Sequence, residues 1–152
     1  DFMFYKMINL KRLLMAIFAI TTCSISIAAS TDQIEIINTI SRIYDKPNLK
    51  VTTNPISINE NFAIADWTQG NRGGRALLKK DNGHWAIITC GADEIKDLKN
   101  LKDAGISTNV AKALIEQLNQ LEKSIDPNQI HLFSLFGTKN DPKHAEHHDH
   151  KH

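Results

Sequence analysis

The sequence predicts an α+β fold, with an N-terminal helix, an antiparallel four-stranded sheet and C-terminal helices packed on the sheet. Two observations lead to this prediction. Apolar residues recur at helical spacing before residue 45 and after residue 93, whereas between them they follow the shorter period of strands. The dipeptide Asn82-Gly83 then joins two alternating segments. It is the strongest short hairpin signal, because both positions accept a positive φ.

The first helix is predicted over residues 31–45. Ser30 and Gln33 have the spacing of a capping box, and Pro47 lies just beyond the predicted end. The apolar residues that recur at helical spacing are Ile34, Ile37, Ile40 and Tyr44. Because β-branched residues lower the helix propensity of this segment, we expect packing against the sheet to stabilise it.

The sheet is predicted within residues 49–90. Asn54-Pro55 is expected to interrupt the first extended segment, because proline cannot donate to the ladder. A glycine-rich loop at 70–74 is expected to connect two strands. The predicted extended segments are 49–53, 56–58, 62–68, 75–80 and 84–90.

A two-residue turn at Asn82-Gly83 also predicts the register of the last two strands. Residues equally distant from the turn then face each other. The predicted pairs are Lys80–Trp85, Leu78–Ile87, Leu77–Ile88, Ala76–Thr89 and Arg75–Cys90. Since both faces carry apolar pairs, we expect helices on one face and at least a partial cover on the other.

Helices are predicted after the sheet. One spans residues 93–104 and ends at Gly105, and Ser107 caps the next. The apolar stripe of that next helix is Val110, Leu114, Leu118, Leu121 and Ile125. Asp126-Pro127 ends it and begins a short final turn. The residues expected to anchor this end on the core are Ile130, Leu132, Phe133, Leu135 and Phe136.

Residues 1–29 have the features of a secretory signal. Met7 is the better candidate for the translation start. Lys11 and Arg12 form a positive n-region, and Leu13–Ile20 form an apolar core too short to span a bilayer. Small residues follow at a suitable cleavage point. We therefore expect export to a periplasm-like compartment and no transmembrane anchor after cleavage.

The expected organisation is a signal at 1–29, a single α+β domain at 30–137 and a disordered histidine-rich tail at 138–152. A lipoprotein anchored through Cys23 is the weaker alternative, because Thr22 does not fit the small residue that lipidation requires.

The chain beyond residue 29 is nearly neutral. It contains 15 Lys and Arg, 16 Asp and Glu, no methionine and one cysteine, Cys90. This balance gives no electrostatic footprint for nucleic acid. One cysteine excludes an internal disulfide, so we expect the fold to depend on a single core, which about 120 residues can support.

The C-terminal segment is rich in metal-binding side chains. Five of the seven histidines lie in the last nine residues, and imidazole binds Cu(II), Zn(II) and Ni(II) well. The candidate ligands are His144, His147, His148, His150 and His152. The absence of methionine beyond residue 29 argues against a methionine–histidine Cu(I) site. The alternative is a solvated polar tail with no dedicated role.

Cys90 ends a predicted strand and permits three interpretations. It is a buried small side chain, a thiol that pairs with another chain or a redox enzyme, or a metal ligand together with His131 or His84. No His–Asp arrangement supports a catalytic thiol, and neither an H-E-x-x-H nor a G-x-S-x-G motif is present. We therefore expect no enzymatic activity.

The segment Gly70–Arg75 resembles an anion-binding loop, but it lacks the lysine and the following helix of a phosphate loop. We interpret it as a hairpin connection, with a guanidinium interaction surface as the alternative. Asp66 is expected to pair with Arg72 or Arg75, and the two tryptophans are expected to pack in or around the core. The candidate partner surface is Asp66, Trp67, Arg72 and Arg75.

The block D-W-T-Q-G-x-x-G-G-R-A-L-L, residues 66–78, resembles the small exported bacterial proteins called copper uptake system-associated proteins. The likeness covers about 63–138, including a downstream helix pair and a closing Phe-Ser-x-Phe-like segment. It implies a periplasmic accessory to copper import, with periplasmic or membrane components of the import system as partners. It implies no reaction and no set of ligands. A helix followed by a curved sheet is also the arrangement of cystatin/NTF2-like folds, which is an analogy of fold alone.

We therefore expect a non-enzymatic accessory of a copper uptake system that binds divalent metal through its histidine-rich tail. Cu(II) is the first candidate, and zinc and nickel are the others. Two alternatives stay open: a general envelope interaction module whose tail is incidental, and a small-ligand pocket inside a cone-shaped sheet.

Overall fold

The computed structural model describes residues 30–145, and the side chains of residues 30–143. The predicted α+β architecture is confirmed. The helices are α1 (Thr31–Tyr44), α2 (Leu98–Asp103), α3 (Thr108–Glu122), α4 (Pro127–Phe133) and α5 (Pro142–Ala145), and the strands are β1 (Thr52–Asn59), β2 (Phe62–Gln69), β3 (Arg72–Asp81) and β4 (His84–Gly91). The expected signal at 1–29 lies outside the described residues. Within 30–145, no helix is both long and apolar enough to cross a membrane.

The four strands form an antiparallel meander in the order β1-β2-β3-β4. Asn82 and Gly83 make the predicted turn between β3 and β4, with φ of 48° and 80°. The turn between β2 and β3 is only Gly70-Asn71, so the predicted loop at 70–74 is too long. The cause is that Gly73 and Gly74 are needed inside β3 for close packing.

A side chain at either strand glycine would collide with the chain that follows α3. A Cβ at Gly73 would lie 2.8 Å from the Leu132 carbonyl, and one at Gly74 would lie 2.8 Å from the Cβ of Phe136. The missing side chains therefore let the segment around α4 lie directly on the backbone of β3.

β1 runs through Asn54-Pro55, so the predicted interruption is wrong. The register with β2 shifts between Thr53 and Ile56, which places the proline at an irregularity of an edge strand. Proline is tolerated at that kind of position because no ladder hydrogen bond is lost.

The predicted register of the β3–β4 hairpin holds only near the turn. Lys80 pairs with Trp85 and Leu78 with Ile87, but Ile88 then has no partner in β3. Beyond this bulge the pairs are Leu77–Thr89, Ala76–Cys90 and Arg75–Gly91. The three pairs predicted there are wrong, because one extra residue moves every following β4 side chain to the other face.

Helices cover both faces of the sheet, as expected. α1 covers the first face through Ile36 and Ile40, which are almost fully buried. Two members of the predicted stripe, Ile34 and Tyr44, are instead 49% and 43% exposed. The opposite face is covered by α2 and α3. The buried residues of that second layer are Ile64, Leu77, Ile95, Leu101, Ile106, Val110, Ala111, Leu114 and Leu118.

The helix predicted over 93–104 is divided in two. A 3₁₀ turn at Asp93–Lys96 precedes α2, because the Asp97 side chain accepts from the backbone N–H of Asn100 and starts a new helix. The predicted end at Gly105 is confirmed by the backbone hydrogen bond from Ile106 to the Leu101 carbonyl.

Candidate functional site

The sheet divides the four residues of the predicted partner surface into two pairs. Side chains alternate along a strand, so Asp66 and Trp67 point to opposite faces. Arg75 lies beside Asp66, under the C-terminal helices, and both are almost fully buried. Arg72 lies on the face of Trp67. The four residues therefore do not form one surface, because an exposed partner contact cannot include the buried pair.

Asp66 and Arg75 belong to a buried ion cluster. Arg75 Nη1 donates to Asp93 Oδ1 at 2.8 Å and Nη2 donates to Glu122 Oε1 at 2.9 Å. Arg75 Nε lies 3.3 Å from Asp66 Oδ1, which confirms one of the two predicted pairings. The guanidinium carbon also lies 5.7 Å from the centre of the Phe133 ring. This arginine thus joins the centre of the sheet to three carboxylates and to α4.

The surroundings of Asp66 favour its protonated form. Neither of its carboxyl oxygens accepts a hydrogen bond from a described residue. Burial raises the pKa of Asp66 to about 8, with Arg75 opposing and Glu122 adding to the shift. Burial alone would raise the pKa of Glu122, but hydrogen bonds from Lys96, Asp66 and Arg75 lower it overall. With Asp66 neutral, Arg75 and Lys96 balance Asp93 and Glu122, and the cluster is close to electrically neutral.

Trp67 and Arg72 line what we name the terminal pocket, a cavity of about 350 Å³ at the end of the sheet. The Trp67 and Phe136 rings meet edge to face, with centres 5.5 Å apart and planes at 77°. Further lining residues are Tyr44, Cys90 and Lys143. The terminal pocket lies beside the sheet and not within a cone of strands. Its position therefore differs from that of the small-ligand pocket that the sequence analysis kept as an alternative.

Arg72 fixes the C-terminal part of the domain at this pocket. Its Nε donates to Asp141 Oδ1 at 2.9 Å and its Nη2 donates to Asp141 Oδ2 at 3.2 Å. The backbone N–H groups of Gly137 and Lys143 donate to the same carboxylate. Arg72 holds the pKa of Asp141 well below its usual range, although burial opposes this. Asp141 thus stays ionised and tied to the first residue of β3.

The ordered domain therefore extends past the predicted boundary at Gly137. Residues 138–145 were expected to belong to a disordered tail, but they continue the fold and include α5. A polar composition alone suggested disorder. The ion pair between Arg72 and the buried Asp141 provides the long-range contact that composition cannot show.

Cys90 lies half-buried in the wall of the terminal pocket and forms no disulfide. Its Sγ is 3.9 Å from the Tyr44 hydroxyl. Burial raises the pKa of the Cys90 thiol, with the Tyr44 hydrogen bond opposing. Among the described residues, no group of three or more His, Cys, Asp or Glu side chains could hold a metal ion, so no such centre joins Cys90 to His84 or His131.

The five candidate histidine ligands cannot be placed. The backbone of His144 belongs to α5, but its side chain lies outside the described side chains. The other four, His147, His148, His150 and His152, lie outside the described residues. Their metal binding stays a prediction from the sequence.

Sequence reasoning missed Asp141 and Phe136 as site residues. A signal for Asp141 was present, because Asp141-Pro142 repeats the helix-start dipeptide Asp126-Pro127. Both aspartates accept from the backbone N–H two residues further on. The packing of Phe136 on Trp67 has no comparable local signal.

Comparisons of the chain with protein-family models, with curated proteins and with solved structures found no match. The resemblance to copper uptake system-associated proteins therefore depends on the sequence pattern of 63–138 alone.

Proposed function

We propose that this protein is a non-enzymatic envelope accessory of copper uptake, which binds Cu(II) as cargo through the histidines of residues 144–152. The supporting observation is the fixed start of that segment. Asp141 is bound by Arg72 at the terminal pocket, and the five histidines begin three residues later. A folded domain thereby presents a dense set of imidazoles at a defined point.

The ligand chemistry of the segment favours Cu(II). Imidazole is largely neutral at neutral pH and available as a ligand. Cu(II) lies at the top of the affinity order for such nitrogen sites, ahead of Ni(II) and Zn(II). Glu146 and Asp149 add oxygen ligands between the histidines. The histidines lie within nine residues of one chain, and this linkage confines several ligands to a small volume and raises their effective concentration.

The proposed location is the periplasm-like compartment to which residues 1–29 would direct the chain. The proposed partners are periplasmic or membrane components of the copper import system. Support for both comes from the signal-like residues and from the resemblance at 63–138, and both are separate from the metal chemistry.

The test is a calorimetric titration of Cu(II), with Zn(II) and Ni(II) alongside, into residues 30–152 and into a protein that ends at Lys143. Ending the chain at Lys143 keeps the Arg72–Asp141 ion pair while it removes all five candidate ligands. We expect Cu(II) affinity to fall by roughly 100-fold or more, because the described residues offer no cluster of three ligands.

The matched control is the full-length 30–152 protein with all five C-terminal histidines changed to glutamine. It keeps the length of the segment and should lose Cu(II) binding to the same degree. Equal binding by the protein ending at Lys143, or no binding by any form, would overturn the proposal.

A second candidate is an envelope interaction module without a metal role. It is favoured by three exposed apolar residues at one end of the domain: Ile43, Tyr44 and Leu49 are 56%, 43% and 40% exposed. Gln69 Nε2 holds them together by donating to the Tyr44 and Leu49 carbonyls. Binding to a purified membrane component that resists chelator and is lost on Ile43→Ser with Leu49→Ser would support this function over the first.

A further inference from the structure

The walls of the terminal pocket are aromatic and apolar. The Trp67 and Phe136 rings meet in edge-to-face contact, and the half-exposed Tyr44 and Ile43 also belong to the lining. Flat apolar walls of this kind accept a planar ring by stacking and by exclusion of water. The volume of about 350 Å³ is at the lower end of the range for small-molecule sites.

The acidic charge at the pocket is already compensated. Asp45 Oδ1 accepts from the backbone N–H of Val51 at 2.8 Å and its Oδ2 lies 3.4 Å from Lys50 Nζ. Asp141 is bound by Arg72. Neither carboxylate is left to repel an anion.

Two lysines in the lining remain uncompensated within the described part of the chain. Lys46 and Lys143 are exposed, and neither forms an ion pair with any carboxylate of residues 30–143. Among the described residues, the charges around the pocket are therefore predominantly positive, and they favour an anionic group at the rim while the rings contact the aromatic side chains.

We infer that the terminal pocket binds a small aromatic anion of one to three rings bearing a carboxylate or sulfonate-type group. The rings contact Trp67 and Phe136, and the anionic group lies between Lys46 and Lys143. The Cys90 thiol lies in the same wall and is covered when the pocket is filled. This site is independent of the proposed copper binding, since it uses no histidine.

The test uses metal-free 30–152 protein and two fluorescent probes of similar size. The anionic probe is 8-anilinonaphthalene-1-sulfonate and the neutral one is N-phenyl-1-naphthylamine. We expect the anionic probe to bind more tightly and to slow the alkylation of Cys90 by iodoacetamide. The double variant Lys46→Glu with Lys143→Glu should weaken the anionic probe by roughly tenfold and leave the neutral probe nearly unchanged.

The matched control reverses two lysines away from the pocket, Lys99→Glu with Lys102→Glu. It changes the net charge equally and should keep the affinity of the parent protein for both probes. Equal weakening by both double variants, or unprotected Cys90 in the presence of bound probe, would overturn the inference. Either result leaves the Cu(II) titration unaffected, so failure here is distinguishable from failure of the copper proposal.

Discussion

Arg72 and Arg75 lie three residues apart in one strand and each binds an aspartate, yet they belong to opposite environments. The Arg75 side chain is 2% exposed and contacts three carboxylates beneath the C-terminal helices. The Arg72 side chain is 27% exposed and binds Asp141 beside an open pocket. Alternation along β3 thus assigns one arginine to holding the layers together and the other to positioning the C-terminal segment.

The largest expected effect comes from Arg75→Met. It would remove the only cation paired with the buried Asp66 among the described residues and leave Glu122 with Lys96 alone. Removing one member of a buried ion pair costs about 3–5 kcal/mol. Urea unfolding followed by Trp fluorescence would measure the loss in free energy of unfolding.

The matched change on the other face is Arg72→Met. Because the Arg72 side chain is partly solvated and Asp141 keeps its hydrogen bonds from Gly137 and Lys143, the loss should be smaller, about 1–2 kcal/mol. Equal losses for the two variants would contradict the division of roles between the faces.

The second effect is a pH dependence carried by Asp66. Its folded pKa of about 8 lies above the value of about 3.9 for an unfolded aspartate, so stability falls as pH rises between these two values. Asp66→Asn replaces the titrating carboxyl with an amide that does not titrate. The amide keeps the shape of the side chain and a donor toward Glu122. The variant should be more stable than the parent at pH 8, on the order of 1–3 kcal/mol, and lose this advantage toward pH 4.

Unfolding free energies at several pH values between 4 and 9 would measure this effect. Glu122 acts in the opposite direction but at lower pH, since its lowered pKa costs stability only as pH falls into the acid range. A parent protein and variant with parallel pH curves between 5 and 8 would show that Asp66 is ionised in the fold.

The smallest effect is expected from Asp141→Asn beside the terminal pocket. Arg72 would lose its ionised partner, at a cost of about 1 kcal/mol at neutral pH. Because the pKa of Asp141 is lowered, the parent protein should lose this contribution as pH falls below about 4, and the variant should not. Limited trypsin digestion at Lys139 and Lys143 should be faster in the variant, and an unchanged cleavage rate would contradict the anchoring role of Asp141.

Local signals in the sequence predicted most of the fold. Ser30 with Gln33, Asn82 with Gly83, and Asp126 with Pro127 each determine backbone geometry within four residues, and each is confirmed. The buried face of α1 was harder to predict. Because Ile34 and Ile36 are both isoleucine, two faces of the helix are nearly equally apolar.

The candidate site was less predictable, because it depends on contacts distant in sequence. The unpaired Ile88 places Cys90 opposite Ala76, on the sheet face that α1 covers. The alternation of apolar and polar residues in the sequence does not reveal a bulge of this kind. The pairing of Arg72 with Asp141 spans 69 residues. Asp66 and Arg75 were correctly expected to pair, but their burial follows from the helices above them and not from their own segment.

The Arg72–Asp141 ion pair has a mechanical consequence. A partner that pulls on the chain beyond Lys143 loads this pair first, and the pair breaks at a cost of about 1–2 kcal/mol while the sheet stays intact. Residues 138–143 then extend, and at about 3.4 Å per residue these six residues span at most roughly 20 Å. The close contacts of Gly73 and Gly74 with Leu132 and Phe136 stop the extension there, so the reach of the histidines can increase without unfolding of the domain that carries them.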